Sequence, residues 1–157
     1  MEYRVMKNIS SLITLALVGL LLLGFSDAAA QKKMAKGATI WPYADLKWAE
    51  IPNSGGVMRA TLWGDADKGA YGAIYKFPAG AKYPLHYHTN SMKVVVITGT
   101  WLYTPEGGTE HRLGPGSYLA YGPKDKHVSG PADESECTFF IEQPAKFDMV
   151  PVEGEKK

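Results

Sequence analysis

The fold expected for this chain follows from residues 80–99, which read GAKYPLHYHTNSMKVVVITG. The stretch opens in a glycine turn, continues through His86 and His88, and ends in a β-branched run before Gly99. In a β-strand, residues i and i+2 point to the same face, so the two imidazoles are expected to point to one location. Imidazole is a good ligand for transition metals. The pair alone is weak support for a metal site, because packed and surface histidines also occur at this spacing.

A second stretch that is also bounded by turn residues covers residues 114–127 and reads GPGSYLAYGPKDKH. Its Gly-Pro-Gly predicts a tight turn, because glycine tolerates positive φ and proline fixes φ near −65°. Residues 117–121 predict a short aromatic strand, and a polar turn with Pro123 follows. His127 then begins the next predicted strand.

The two stretches together resemble the paired motifs of the cupin superfamily. In the first motif, G-x5-H-x-H-x(3,4)-E-x6-G, the residues Gly80, His86, His88 and Gly99 fall in register. In the second, G-x5-P-x-G-x2-H-x3-N, the matching residues are Gly116 and His127. The resemblance spans roughly residues 70–143. It implies an all-β, cupin-type antiparallel barrel (a double-stranded β-helix or jelly roll) with a metal held in its mouth by His86, His88 and His127.

The chain departs from these motifs at several positions. Met92 occupies the place of the acidic ligand, which leaves three histidines and no carboxylate. In the second motif Gly122 and Lys124 replace the proline and the glycine, and Pro131 replaces the asparagine. Met92 is expected either to line the pocket or to act as a weak thioether ligand, and a thioether beside three imidazoles would favour copper.

The ligand set indicates which metals the site would accept. Imidazoles suit Fe, Zn, Cu and Ni, whereas carboxylates favour harder ions such as Mn and Mg. Loss of the carboxylate leaves more positive charge at a bound divalent ion, so an anionic or enolate ligand is favoured. No residue stands out as a catalytic base, and Tyr75, Tyr103 and Tyr121 are candidates by residue type alone. Tyr75, Trp101 and Tyr103 are expected to contact a substrate.

Two classes of function remain open beside a barrel with merely packed histidines. The first is a metal-dependent enzyme, since the resemblance includes three-histidine cupins that are dioxygenases. The second is a non-catalytic cupin that binds or senses a small molecule or a metal. A fold by itself does not decide between them.

Residues 1–30 are predicted to be a secretory signal peptide. Arg4 and Lys7 form a positive start, an apolar run occupies residues 12–25, and Ala-Ala-Ala at residues 28–30 fits a cleavage site. The apolar run is short for a membrane span, although an uncleaved N-terminal anchor is the alternative reading. We therefore expect a periplasmic or secreted protein. Residues 31–38 would be a mobile lead-in, 39–150 the barrel domain and 151–157 a charged tail.

The net charge and the cysteine content limit the kinds of binding partner and disulfide that can be expected for this chain. The net charge of +1 gives no reason to expect nucleic acid, and no membrane association is expected after signal cleavage. The single cysteine, Cys137, cannot form a disulfide within the chain and is expected to be a buried apolar residue. His111 lies outside both motifs and is interpreted as a strand or surface residue. Many cupins form homodimers, and the sequence leaves the monomer and the homodimer open.

Overall fold

The computed structural model describes residues 37–152, so the predicted signal peptide lies outside the described residues. A short 3-10 helix, Tyr43–Asp45, precedes eleven strands. The strands are β1 (Trp48–Glu50), β2 (Met58–Gly64), β3 (Tyr71–Phe77), β4 (Tyr83–Tyr87), β5 (Met92–Thr98), β6 (Trp101–Pro105), β7 (His111–Leu113), β8 (Tyr118–Tyr121), β9 (His127–Pro131), β10 (Cys137–Gln143) and β11 (Val150–Pro151). No helix in this part of the chain is long and apolar enough to cross a membrane.

The strands form two antiparallel sheets. The first has the order β1-β2-β3-β10-β5-β8 and the second the order β11-β4-β9-β6-β7. Neighbours in each sheet are mostly distant in sequence, as in a jelly roll whose strands alternate between two sheets. The predicted all-β class and antiparallel jelly-roll barrel are confirmed.

Alternating side chains of the central strands form the core. In β5, Met92, Val94 and Val96 are buried, whereas Lys93 and Ile97 are exposed. This period of two is what a strand with one buried face requires. In β3, alternate residues form a largely aromatic face, and the sequence alone does not decide whether this face points into the barrel or away from it. The structure places it inside, with Tyr71, Ala73, Tyr75 and Phe77 all buried.

Two segments differ from the expected strand pattern. The sequence also predicts a strand over residues 39–43 that Pro42 interrupts, but the structure has no strand there, because Pro42 has no N–H to donate to a sheet and is followed by the 3-10 helix. The side chains before Pro42 are exposed, so no burial favours an extended pairing there. At the other end, where the sequence shows no clear pattern, Val150 and Pro151 form β11 and pair with Tyr87 and His86.

The motif glycine Gly99 lies where the chain turns from β5 to β6. Its φ is +72°, and a Cβ built on it would lie 2.2 Å from the carbonyl oxygen of Glu136. Only glycine fits such an approach without moving the backbone. The adjoining Cys137 is fully buried, as predicted, and burial raises the pKa of its thiol to about 12.

Candidate metal centre and its cavity

The three motif histidines meet between β4 and β9. His86 in β4 pairs directly with His127 in β9, and His88 follows just after β4 on the same side as His86. All three are buried, with His127 fully enclosed. Each offers one ring nitrogen, and these three nitrogens lie within 4.8 Å of one another. The predicted convergence of the histidines is therefore confirmed.

Backbone carbonyls fix the tautomer of each imidazole. The Nδ1 atom of His86 lies 2.7 Å from the carbonyl oxygen of Pro84, and that of His127 lies 2.9 Å from the carbonyl oxygen of Asp125. The Nδ1 atom of His88 contacts the carbonyl oxygen of Asp148. A carbonyl oxygen can only accept, so each Nδ1 carries the proton and each Nε2 keeps a free lone pair. Three lone pairs are thus available at one location.

Burial keeps these rings neutral. Desolvation lowers the pKa of His88 and of His127 to about 4, and it also lowers the pKa of His86. The carbonyl contacts act in the opposite direction but do not outweigh desolvation. Neutral imidazole is the form that binds metal ions, so the site needs no deprotonation near neutral pH.

An unsatisfied nitrogen shows that the histidines suit a metal ion. The Nε2 atom of His127 is buried and has no hydrogen-bond partner among the described residues. A buried polar atom without a partner carries a desolvation cost that a ligand would offset. A divalent transition metal is the ligand whose preferences match three convergent imidazole lone pairs.

The turn at residues 122–126 holds two of the histidines in place. The backbone N–H of Lys124 donates to the carbonyl oxygen of His88, and the carbonyl oxygen of Asp125 accepts from His127. The Asp125 side chain accepts a hydrogen bond from the N–H of Gly122, which closes the turn. Lys124 adopts a φ of +63° at the position where the family motif carries glycine. Lys124 therefore lies in the left-handed backbone region that glycine adopts most readily.

Met92 faces the cavity from the start of β5. It is buried and pairs across strands with Tyr121, whose ring packs against both His88 and His127. The apolar side chain therefore stands on the cavity wall near the histidines.

A cavity of about 290 Å³ opens beside the histidine cluster, and His86 and His88 form part of its wall. Its walls are almost entirely apolar or aromatic, and no charged side chain of residues 37–152 lines it. The lining residues are Ile51, Pro52, Asn53, Ser54, Val57, Tyr75, Phe77, Tyr83, His86, His88, Met92, Val94, Trp101, Tyr121, Ser129, Phe139, Ile141, Phe147 and Met149. The size and lining are typical of a site for a small organic molecule.

The predicted substrate contacts divide into two groups. Tyr75 and Trp101 line the cavity, as does Tyr121. Tyr103 does not: its ring packs against His127 and Tyr121, and it supports the histidine from behind. Burial raises the pKa of both Tyr103 and Tyr121, so both hydroxyls stay protonated and neither is suited to act as a base. His111 is exposed in β7, as expected.

Several site residues had no signal in the sequence. Phe147 and Met149 line the cavity, and Asp148 between them orients His88. Residues 144–151 lack any periodic pattern, so nothing in the sequence links them to His88. Tyr83 lies within the first motif, but the motif fixes no residue type at that position.

Comparison with known proteins supports this description. The family profile of the ChrR cupin-like domain matches residues 36–146. The polyketide cyclase RemF from Streptomyces resistomycificus superposes with a TM-score of 0.62 at 15% identity, covering 76% of this chain and 89% of RemF. An RmlC-like cupin protein from Ralstonia eutropha gives a TM-score of 0.58 at 23% identity, covering 72% of this chain and 71% of that protein.

A third solved structure connects the fold to the family profile. The complex of SigE with the anti-sigma factor ChrR from Rhodobacter sphaeroides gives a TM-score of 0.51 at 20% identity, covering 65% of this chain and 51% of the matched chain. These structural likenesses support the fold. The comparison with curated proteins found no match.

Proposed function

Since this chain belongs to the ChrR cupin-like family of the cupin superfamily, we propose that it is an exported cupin with a divalent transition metal held by His86, His88 and His127. A small organic molecule would bind in the cavity above the metal. The observation that carries the proposal is the set of three carbonyl-anchored imidazoles, which bring one ring nitrogen each to within 4.8 Å of the others.

The cavity defines the class of molecule. Aromatic walls such as Tyr75, Phe77 and Trp101 suit a flat apolar body. The ligand nitrogens are all neutral, so a bound divalent ion would keep its full charge and favour an anionic oxygen on the ligand. We therefore propose a small molecule with an apolar body and a carboxylate, phenolate or enolate head group.

When bound, the metal would polarise this head group as a Lewis acid and supply a site for O2 or water. The protein contributes binding and orientation. Its aromatic walls exclude bulk water from the head group, and Tyr121, whose pKa is raised by burial, can donate a hydrogen bond but does not remove protons. A reaction that needs no protein base fits these residues best, so we propose a metal-dependent oxidoreductase of the dioxygenase class, with Fe, Zn, Cu and Ni as the candidate metals.

The alternative is a binding or sensing cupin without turnover. Two observations favour it: the lack of a base among the described cavity residues, and a family profile that takes its name from ChrR, which one solved structure presents as an anti-sigma factor. Both functions share the metal and the small-molecule ligand. They differ in whether the ligand is changed.

Metal analysis tests the shared part of the proposal. The protein, purified without a histidine tag, is expected to bind one equivalent of a divalent transition metal, and His86→Ala, His88→Ala and His127→Ala should each lose it. His111→Ala is the matched control, because this exposed histidine is outside the site and its removal should leave the metal content unchanged. A metal content insensitive to the three substitutions would contradict the proposal.

Oxygen uptake separates the enzyme from the binding protein. The Fe(II)-loaded protein is expected to consume O2 with aromatic compounds that chelate through two oxygens, such as catechol and salicylate. The His127→Ala variant, treated in the same way, controls for free iron. Binding of these compounds by calorimetry without oxygen uptake or product would favour the non-catalytic cupin.

Export rests on the sequence of residues 1–30. Cell fractionation followed by mass spectrometry should find a form that lacks the leader in the periplasm or the medium. Full-length chain confined to the cytoplasm would contradict this part of the proposal.

A further inference from the structure

A buried hydroxyl in the cavity wall has no described partner. The Oη atom of Tyr83 is fully buried and makes no hydrogen bond within residues 37–152. Tyr83 lines the same cavity as His86 and His88. A buried hydroxyl without a partner costs free energy, and an acceptor on a ligand or a bound water would offset that cost. The position of Tyr83 therefore needs an explanation that packing does not supply.

The strand register relates Tyr83 to the histidines. Strands β4 and β9 pair at two points: His86 lies opposite His127, and Tyr83 lies opposite Ser129. Ser129 is also buried and also lines the cavity. Ser129 lies two positions after His127 in β9, which is about 7 Å along the strand at the usual rise per residue. The hydroxyl-bearing pair Tyr83 and Ser129 is therefore the neighbouring pair, along the same two strands, to the histidine pair His86 and His127.

The ring of Tyr83 is held between aromatic neighbours. It packs edge-on against Phe77, with 5.8 Å between ring centroids, and stacks against Trp101 at 6.4 Å. Burial raises the pKa of Tyr83, so its hydroxyl remains a hydrogen-bond donor. A donor whose ring cannot move far is suited to discriminate between ligands, because it offers its hydrogen bond in a fixed position.

We propose that Tyr83, assisted by Ser129, forms a polar subsite that selects ligands with a neutral acceptor group, such as a ketone, at the end opposite the metal-binding head. This inference rests on the proposed function only in assigning the other end of the ligand to the three histidines. Ligands that lack the acceptor would leave the Tyr83 hydroxyl unsatisfied and would bind more weakly.

Two probes of nearly the same shape test the subsite. In 4-acetylbenzoate a carboxylate and a ketone lie on opposite sides of one benzene ring, and 4-isopropenylbenzoate replaces the ketone oxygen by a methylene group. Calorimetry with the zinc-loaded protein should show about fivefold tighter binding of 4-acetylbenzoate, the size of one neutral hydrogen bond. Tyr83→Phe should reduce this ratio to about one while leaving the affinity for 4-isopropenylbenzoate and the zinc content unchanged.

Tyr87→Phe is the matched control, because it removes a hydroxyl from the same strand at a residue that does not line the cavity. It should retain the wild-type ratio. Thermal unfolding of the free protein adds a readout that needs no ligand. If the Tyr83 hydroxyl is unsatisfied, Tyr83→Phe should leave the melting temperature unchanged or raise it, whereas a structural hydrogen bond would make the variant melt lower.

The outcomes separate the two proposals. A wild-type protein that binds zinc through the histidines but binds both probes equally, or binds neither, overturns the subsite and leaves the metal centre intact. A lower melting temperature for Tyr83→Phe also overturns it. A wild-type protein that fails to bind zinc would instead contradict the proposed function.

Discussion

The backbone N–H of Lys124 donates a hydrogen bond to the carbonyl oxygen of His88, with 2.8 Å between the two atoms. This bond joins the turn of the second motif to the histidine pair of the first. Lys124 adopts a left-handed φ of +63° at this point, which residues with a Cβ adopt at some cost. In the turn that positions His127, a lysine therefore occupies a backbone conformation that glycine adopts at lower cost.

We expect Lys124→Gly to stabilise the protein. Relief of the left-handed backbone is worth about 1–2 kcal/mol, and the greater freedom of glycine in the unfolded chain offsets part of it, which leaves a gain of roughly 0.5–1 kcal/mol. Urea unfolding measures the difference. Lys124→Ala is the control, since it removes the side chain but keeps the Cβ, and an equal gain there would show that φ is not the cause.

Gly99→Ala should destabilise the protein far more than Gly107→Ala. Both glycines have a φ of +72°, so both substitutions carry the same backbone cost of about 1 kcal/mol. Nothing lies within 4 Å of a Cβ at Gly107, whereas the carbonyl oxygen of Glu136 lies 2.2 Å from one at Gly99. The extra loss at Gly99, about 2 kcal/mol or more, is measured by denaturant unfolding of the two variants. Equal losses would contradict the close approach.

Acid should destabilise the metal-free protein. His88 and His127 have pKa values of about 4 in the folded state, below the ordinary value near 6.5. Between these values the unfolded chain binds more protons than the folded chain, so the free energy of unfolding falls as the pH drops from about 6.5 to about 4. Denaturant unfolding across this range, with a chelator present, measures the slope. His88→Gln and His127→Gln should each flatten it, and an unchanged slope would contradict the buried neutral rings.

Met92 is expected to wall the cavity without binding the metal. Met92→Leu nearly conserves volume and should cost less than about 1.5 kcal/mol of stability while leaving metal affinity unchanged. Met92→Glu should tighten Mn(II) binding by about tenfold or more, because it adds an anionic oxygen to a site of neutral nitrogens. Competition titration measures both variants. Val95→Glu, on the exposed face of the same strand, is the control.

A different result at Met92 would be equally informative. If Met92→Leu lowers copper affinity, the thioether is a ligand. If Met92→Glu has the same Mn(II) affinity as the wild type, residue 92 does not reach the metal, although it occupies the position of the acidic ligand in the motif.

The sequence predicted those parts of the site that depend on short spacing. His86 and His88 share a face because of the strand period, and Gly99 and His127 were found by their positions in the two motifs. Trp101 and Tyr103 show the limit of the same reasoning. They are two residues apart on one strand and so share a face, yet Trp101 lines the cavity whereas Tyr103 packs against His127 and does not line it.

Other residues reach the site because strands that are distant in sequence pair with one another, and the sequence alone does not show this pairing. Tyr83 faces Ser129 because of an irregularity in the register between Tyr83 and His86. Phe147 and Met149 reach the cavity because β11 returns to pair with β4. Residues 144–151 have neither a periodic pattern nor a motif, so their contribution became visible only in three dimensions.

The carbonyl that orients His88 belongs to Asp148, sixty residues later in the chain. During synthesis, His86 and His88 leave the ribosome long before that carbonyl does. The contact that orients His88 therefore forms only after residue 148 has been made and the chain has folded back to pair β11 with β4.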